Sequence, residues 1–172
     1  MRRQTIGALA CLAFLVLVPA LHSQQDITKT GPLSRKVTKE DKQGIEALFK
    51  TATDAWKKGD MKALTPLYDF PIYMGTDTPS GAFEGGEWSQ EQFVKIMGEM
   101  MKTESKDVVY NEKNTPHFLS DTLAVVIVDT TATKGGKSLG SYKSSVVVIK
   151  KNGQWRIKSG LEAGHGTTSA PK

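Results

Sequence analysis

The chain has 172 residues, of which 38% are hydrophobic and 24% charged, and its formal net charge at pH 7 is +5. This composition is typical of a globular protein of one domain and argues against an intrinsically disordered chain. The lysines are scattered among acidic residues without a basic stripe, so we expect neither nucleic-acid binding nor membrane binding by the mature chain.

Residues 1–23 have the three parts of a secretory signal peptide. Two arginines open the segment, an apolar run covers residues 6–18, and small residues up to Ser23 suit cleavage, although the cleaved bond is left open. The apolar run is too short to span a bilayer, so we expect removal of the signal and a secreted or periplasmic protein. Cys11, the only cysteine, lies in this run, so we expect no disulfide in the mature chain.

The first half of the mature chain is predicted to be mainly helical. Apolar residues recur every three or four positions after Thr38, which is a suitable helix cap, and Gly59 is a suitable end. In chain order, the predicted elements are a flexible leader over residues 24–37, a helix from Thr38 to Gly59, a short helix through residues 64–68 that is weakened by Pro66, a short strand over residues 70–74 and a loop over residues 75–86.

A third helix has the clearest start signal in the chain. Ser89 and Gln92 have the spacing of a capping box, while Trp88 and Phe93 have that of a hydrophobic staple. The methionines of this helix share one apolar face, which is more typical of core packing than of a ligand site. Strands over residues 107–111 and 116–119 are predicted to follow, and residues 165–172 form a flexible tail.

The carboxy-terminal part is predicted to form three long strands joined by tight turns at Gly135-Gly136 and Asn152-Gly153. Two-residue turns would fix which residues lie opposite each other. The expected pairs are Thr133 with Ser138, Asp129 with Tyr142, Val125 with Val146, Val148 with Ile157 and Lys150 with Trp155.

Strict alternation then assigns one face of this sheet to the core. The face is apolar near Asn152-Gly153 and polar near Gly135-Gly136, which predicts a pocket with an apolar floor and a polar mouth. Its expected members are Leu123, Val125, Ile127, Asp129, Tyr142, Ser144, Val146, Val148, Trp155, Ile157, Ser159 and Leu161.

Helices followed by a long antiparallel sheet indicate an α+β domain with the helices on one sheet face. The segment DAWKKGDMKALTPLY, the helix opened by Trp88-Ser89 and the closing strand NGQWRI resemble the nuclear transport factor 2-like superfamily, specifically its SnoaL-like branch. The resemblance covers residues 38–164. It implies a curved antiparallel sheet wrapped around the first of three helices, a conical cavity, and dimers formed through the outer sheet face.

The resemblance also allows a test for the chemistry of ketosteroid isomerases and dehydratases. The two oxyanion donors of the isomerases correspond to Ala52 and to one of residues 146–148, none of which is a donor, and the general base corresponds to Thr76, next to Asp77. The paired histidines of the dehydratases are missing, because His117 is expected to point outwards and His165 lies in the tail. Neither chemistry is therefore predicted.

Asp129 is the predicted pocket residue with the most chemical interest. A buried carboxylate is costly unless it has a partner, so an aspartate opposite Tyr142 is either a rim residue bonded to the phenol or a pocket acid or base. The third alternative is a different register, because a three-residue turn would move every side chain to the other face. Enzymatic activity is left open, with Asp129, Asp77 and Tyr142 as the catalytic candidates. The expected ligand-binding residues are Tyr73, Trp88, Asp129, Tyr142, Ser144 and Ser159.

Three hypotheses of different classes follow. The first is a secreted or periplasmic domain that binds a small, largely apolar molecule without established catalysis; the alternatives are a proton-transfer enzyme of the isomerase, cyclase or dehydratase type and a non-enzymatic dimeric interaction module. The other sheet face is unusually apolar, so we expect a homodimer centred on Val126, Val128 and Val147. No cofactor or metal site is predicted, since the mature chain lacks clustered ligands.

Overall fold

The computed structural model describes residues 37–103 and 107–163. The predicted signal peptide, nearly all of the leader and the predicted tail lie outside these residues. In chain order the elements are helix α1 (Lys39–Lys58), helix α2 (Met61–Leu64), a 3₁₀ turn (Thr65–Leu67), strands β1 (Tyr68–Asp77) and β2 (Phe83–Trp88), helix α3 (Gln90–Thr103), and strands β3 (Val108–Phe118), β4 (Leu123–Lys134), β5 (Lys137–Lys151) and β6 (Gln154–Ala163).

The helix boundaries follow the capping residues that the sequence offers. At the start of α1, the Asp41 backbone N–H donates to Thr38 Oγ1 over 3.1 Å, and Gly59 ends the helix with a left-handed φ of 67°. At the start of α3, the Ser89 and Gln92 side chains each accept from the other residue's backbone N–H. Both predicted starts are confirmed.

The region between α1 and α3 contains more sheet than the sequence predicts. Helix α2 ends at Leu64, and the chain then forms a 3₁₀ turn that includes Pro66. Residues 83–88 form strand β2 against β1, and the first four of them belong to the predicted loop. Glycine favours this pairing, because a Cβ at Gly85 would lie 3.0 Å from the backbone carbonyl oxygen of Met74. A strand so rich in glycine carries little hydrophobic pattern, which explains why the prediction missed it.

The six strands form one curved sheet in the order β2-β1-β6-β5-β4-β3. All neighbouring pairs are antiparallel except β1 and β6, so the sheet is mixed rather than wholly antiparallel. Both predicted two-residue turns are present: Lys134 pairs with Lys137, and Lys151 pairs with Gln154. The central residues of both turns have positive φ, as such turns require.

A β-bulge next to the first turn overturns half of the predicted register. Thr133 pairs with Ser138, as expected, but Ala132 pairs with Gly140, so Leu139 is an extra residue. Gly140 accommodates the bulge with a φ of 137°. Because one extra residue moves every later side chain to the other face, Asp129 pairs with Lys143 instead of Tyr142.

The inner face of β4, which contacts α1, is therefore the one predicted to be outside. Ala124, Val126 and Val128 are buried against Ile45, Leu48 and Phe49 of α1. Leu123, Val125, Ile127 and Asp129 lie on the outer face, so their predicted inward orientation is wrong, and so is the placement of Val126 and Val128 in a dimer interface. Near the second turn the prediction is confirmed, because Val148 pairs with Ile157, Lys150 pairs with Trp155, and Trp155 and Ile157 are buried.

Two apolar clusters hold the helices on the sheet. The first joins α1 to β4, β5 and β6, and the second joins α2 and α3 to β1 around Ile72 and Phe93, which are fully buried. Each such aliphatic or aromatic side chain contributes about 1.5–3 kcal/mol on burial. The half-buried Tyr68 packs against both clusters and links them. No helix within the described ranges is long and apolar enough to cross a membrane.

Candidate functional site

The inner sheet face changes from apolar to polar along the strands. Near the Asn152-Gly153 turn, Ala124 lies between Phe118 and Val148, and all three pack in the first apolar cluster. Towards the other turn the inner-face residues become polar, and we call five of them the polar band. Its members, paired across β3, β4 and β5, are Glu112, Thr130 and Tyr142 in one row and Asn114 and Ser144 in the next. The predicted gradient is confirmed, although several of its residues differ.

An open groove lies between α1 and β3 at the edge of the polar band, with a volume of about 420 Å³. We call it the α1–β3 groove. The Thr53 hydroxyl of α1 donates to Glu112 Oε2 of β3 over 3.1 Å and so ties its two walls together. At its rim Lys50 donates to Asp54 over 2.6 Å. The lining residues are Glu46, Phe49, Lys50, Thr53, Asp54, Lys57, Tyr110, Asn111, Glu112 and Asn114.

One acceptor of this groove is buried without a hydrogen bond. Asn114 Oδ1 has no donor among the described residues, although Asn114 lines the groove. Asn114 pairs with the buried Val128 on the inner face, so apolar side chains flank the amide. A buried acceptor without a partner costs about 1–3 kcal/mol. The groove thus combines two aromatic rings, those of Phe49 and Tyr110, with an unused hydrogen-bond acceptor.

The same interior also contains the phenol of Tyr68, which stays protonated. Burial, together with the negative charge of Glu112, raises the pKa of Tyr68 to about 12. Its ring lies 4.3 Å from the Phe93 ring, between centroids. At neutral pH this residue is therefore a neutral hydrogen-bonding group next to the carboxylate of Glu112, held in place by aromatic packing.

The predicted catalytic pair does not exist. Asp129 forms an ion pair with Lys143 on the outer face, where 41% of its side chain is exposed. Tyr142 pairs with Thr130, which is buried on the inner face, so the sheet separates the aspartate from the phenol. Asp77 is the last residue of β1, and by alternation it lies on the same outer face as Tyr73.

The six predicted ligand-binding residues divide between the two faces. Trp88 packs on the second apolar cluster, and Tyr142 and Ser144 lie on the inner face. Tyr73 and Ser159 pair with each other on the outer face, because a second bulge at Lys158 shifts the end of β6. The predicted inward placement of Tyr73, Ser159 and Asp129 is therefore wrong.

Sequence reasoning missed the residues of the groove. Thr53 lies within α1, where the helical pattern gives it no signal of its own. Glu112 and Asn114 lie between two predicted short strands, which in the structure form the single strand β3. Alternation along one long strand would have placed Tyr110, Glu112 and Asn114 on one face. His117 does point outwards, opposite Val125, as predicted. The described residues contain no group of three or more possible metal ligands of the His, Cys, Asp or Glu type.

No protein-family model and no curated protein matches the sequence. Solved structures do match. An NTF2-like protein of unknown function from Pseudomonas putida is 14% identical, with a TM-score of 0.63 over 79% of this chain and 96% of that one. A domain of unknown function with a cystatin-like fold from Nostoc punctiforme is 17% identical, with a TM-score of 0.59 over 74% of this chain and 78% of that one.

A candidate scytalone dehydratase from Novosphingobium aromaticivorans is 16% identical, with a TM-score of 0.57 over 71% of this chain and 82% of that one. At such identities the likeness concerns the fold. The chain has the nuclear transport factor 2-like, cystatin-like α+β fold, in which three helices pack on a curved six-stranded mixed sheet. The resemblance stated from the sequence is confirmed at this level.

Proposed function

We propose that this protein is an exported domain that binds a small, largely apolar molecule in the α1–β3 groove, without established catalysis. The observation that carries the proposal is the buried, unpartnered Asn114 Oδ1 in a groove that also contains the rings of Phe49 and Tyr110. Binding sites for small molecules are concavities that combine apolar surface with a few placed polar groups. The groove has a suitable volume, about 420 Å³, and offers the rings of Phe49 and Tyr110 within a lining that is otherwise charged or polar.

The acceptor defines the ligand further. A ligand with an N–H or O–H group would satisfy Asn114 Oδ1 and recover the cost of leaving it bare, while Phe49 and Tyr110 offer apolar surface to its body. The nearby Thr53–Glu112 hydrogen bond holds the two walls at a fixed separation. We therefore expect a planar or compact molecule with one donor group.

A pair of probes tests this expectation. 2-Naphthol carries a donor, and 2-methoxynaphthalene has nearly the same body without one. We expect 2-naphthol to bind about tenfold more tightly, which corresponds to one hydrogen bond. Equal binding of the two probes, or no binding of either in calorimetric titrations, would contradict the proposal. Mass spectrometry of gently purified protein would show whether a ligand of this class co-purifies.

A substitution separates a functional role of Asn114 from a structural one. Asn114→Leu removes the unpartnered acceptor with little change of volume, so we expect the free energy of unfolding to stay equal or to rise. We expect the same variant to lose the preference for 2-naphthol. Thr115→Leu, on the next residue and on the outer face, is the control and should keep this preference.

The proton-transfer alternative has no support from the geometry. Its proposed base and donor, Asp129 and Tyr142, lie on opposite sides of the sheet, and Asp77 is in outer-face alternation at the end of β1. The interaction-module alternative remains compatible with the binding proposal, because it uses the outer face.

We propose a homodimer through the outer face as well, with a corrected centre. Val125, Ile127 and Val147 form adjacent apolar positions there, and the oppositely charged Asp129 and Lys143 lie beside them. A second copy related by a two-fold axis would cover the apolar patch and meet each charge with its opposite. Sedimentation should show a dimer at micromolar concentration that Ile127→Lys dissociates and the exposed control Thr131→Lys does not. A wild-type monomer would contradict this.

Export is supported by the sequence of residues 1–23 alone. Expression of the full chain in a bacterial host, followed by amino-terminal sequencing of the periplasmic fraction, tests it. We expect a mature chain that begins after one of the small residues near Ser23. An uncleaved protein in the cytosolic fraction would contradict export.

A further inference from the structure

A second groove lies on the other side of α1 from the α1–β3 groove, between α1, the 3₁₀ turn and the β5–β6 hairpin. Its volume is about 410 Å³. The α1 residues that line the two grooves are different, and within each set they recur at helical spacing, so the grooves occupy opposite sides of the helix. We call this one the indole groove. Residues that matter for its chemistry are Gly44, Leu48, Leu67, Lys150, Gln154 and Trp155.

An unpartnered donor lies at this groove. Trp155 is 7% exposed, and its Nε1 is buried with no hydrogen-bond acceptor among the described residues. An indole N–H in the interior normally finds a partner, because leaving it bare costs stability. Trp155 also lines the indole groove, so the unused donor belongs to a wall that borders an open space.

Gly44 is the second unusual feature at the same place. Glycine inside a helix costs stability relative to alanine, yet Gly44 lies in the middle of α1. A Cβ at this position would lie 2.8 Å from Trp155 Cδ1 and 3.3 Å from Nε1. Glycine therefore lets the N–H edge of the indole pack directly on the backbone of α1, and a residue with a Cβ would push the ring away.

A cationic donor stands beside the indole. Lys150 Nζ lies 5.9 Å from the centroid of the Trp155 ring and donates to Asp41 Oδ1 over 3.0 Å. The Lys150 side chain is 31% exposed, and an ammonium carries three donors, of which Asp41 accepts one. Asp41 also accepts a hydrogen bond from the Thr38 hydroxyl over 2.7 Å, so it keeps a partner if Lys150 shares its donors.

We propose that the indole groove is a second binding site, for a small molecule with an apolar body and a terminal acceptor oxygen of the carboxylate or carbonyl type. The oxygen accepts from Trp155 Nε1 and from Lys150, and the apolar body lies on Leu48 and Leu67. Nε1 is covered in the free protein, where the indole edge packs on α1 at Gly44, so the ligand reaches the N–H when this edge turns towards the groove.

Three naphthalene derivatives test the proposal by NMR. We expect 2-naphthoate and 2-acetonaphthone to move the indole N–H resonance of Trp155, which is assigned with a Trp155→Phe variant. We expect 2-methylnaphthalene, which has no acceptor, to bind about tenfold more weakly. Binding of the carboxylate alone identifies an acid as the ligand class, and comparable binding of the ketone identifies any acceptor oxygen. Equal binding of all three probes, or an unmoved Trp155 resonance, would overturn the proposal.

Two matched glycine substitutions separate binding from folding. Gly44→Ala should abolish the Trp155 shift, because its Cβ would collide with the indole edge and displace the N–H from its place in the groove wall. Gly98→Ala in α3 is the control, since a Cβ there meets no atom within 4 Å, and it should leave the shift unchanged. Should Gly44→Ala fail to fold, Lys150→Met tests the same site through weaker binding of 2-naphthoate. Unaltered binding in a folded Gly44→Ala protein, or in Lys150→Met for the carboxylate, contradicts the proposal.

Discussion

The β4–β5 and β5–β6 hairpins are closed by turns of the same length, but they differ in the strand that follows each turn. In β5–β6, pairing stays regular from Lys151 and Gln154 as far as Val148 and Ile157. In β4–β5, the bulge at Leu139 interrupts pairing after two pairs, and every apolar residue of β4 lies beyond it. The turn alone therefore predicts register only over the residues before the first bulge.

The two hairpins also differ in how clearly their sequences mark an inner face. Trp155 and Ile157 alternate with Arg156 and Lys158, so β6 has one apolar face. Residues 123–128 of β4 are all apolar, and either face would suit a core. Where both faces are apolar, alternation carries no information, and a one-residue bulge decides which side is buried.

The largest expected effect comes from a charge on either face of β4. Val126 is fully buried against α1, so Val126→Asp should lower the free energy of unfolding by about 4 kcal/mol or more. Val125→Asp places the same charge on the outer face, where we expect less than about 1 kcal/mol in the monomer. Urea unfolding of both variants measures the difference. If Val125→Asp were the more destabilising of the two variants, the register would be that of a hairpin without the bulge.

The next effect is the loss of stability at alkaline pH that results from the buried phenol of Tyr68. The pKa of Tyr68 is about 12 in the folded protein, against 10.0 ordinarily. Its contribution to the free energy of unfolding is therefore complete below pH 10 and is lost as the pH rises towards 12. The unfolded chain releases this proton first, which should cost about 2 kcal/mol of stability across that range. Tyr68→Phe should remove this part of the alkaline loss. An identical alkaline profile in the variant would exclude the raised pKa.

A smaller effect is expected at the bulge itself. Gly140 has a φ of 137°, a conformation that residues with a Cβ rarely adopt. Gly140→Ala should therefore destabilise the protein by about 1–3 kcal/mol. The same substitution at Gly86, where φ is not positive and a Cβ meets no atom within 4 Å, is the control and should have a smaller effect. Equal effects would show that the bulge does not depend on glycine.

The smallest expected effect concerns the base of β1. The Lys151 ammonium donates to Asp69 Oδ1 over 2.7 Å and, with a further contribution from Lys158, holds the pKa of this carboxyl below its ordinary value of 3.8. Because this pKa is lowered, the stabilisation is present above pH 3.8 and is lost as the pH falls through and below it. Asp69→Asn should weaken the acid dependence of stability by a few tenths of a kcal/mol. A steeper acid dependence in the variant would contradict this sign.

Local signals predicted much of the fold. The caps at Thr38 and Ser89, the glycine end of α1 and both tight turns depend on residues a few positions apart, and all are present. The inner-face gradient was also predictable, because it depends on composition along the strands more than on register.

The remaining features depend on contacts that the sequence does not display. Strand β2 is held by its pairing with β1 and has a weak pattern of its own. The two bulges shift the register within the long strands, and they moved Asp129 and Ser159 out of the predicted pocket. Glu112 and Asn114 became site residues only once β3 was seen to be continuous.

Thiol accessibility on β4 tests the central claim most directly, because the register determines both the pocket and the outer surface. The only cysteine is Cys11, in the predicted signal peptide, so Asp129→Cys and Thr130→Cys in the mature chain each carry a single thiol. The side chain of Asp129 is 41% exposed, whereas Thr130 is 2% exposed. In the Ile127→Lys background, which leaves the outer face uncovered, we predict rapid labelling of the Asp129→Cys variant and slow labelling of the Thr130→Cys variant under native conditions. Protection of the first thiol with rapid reaction of the second would contradict it.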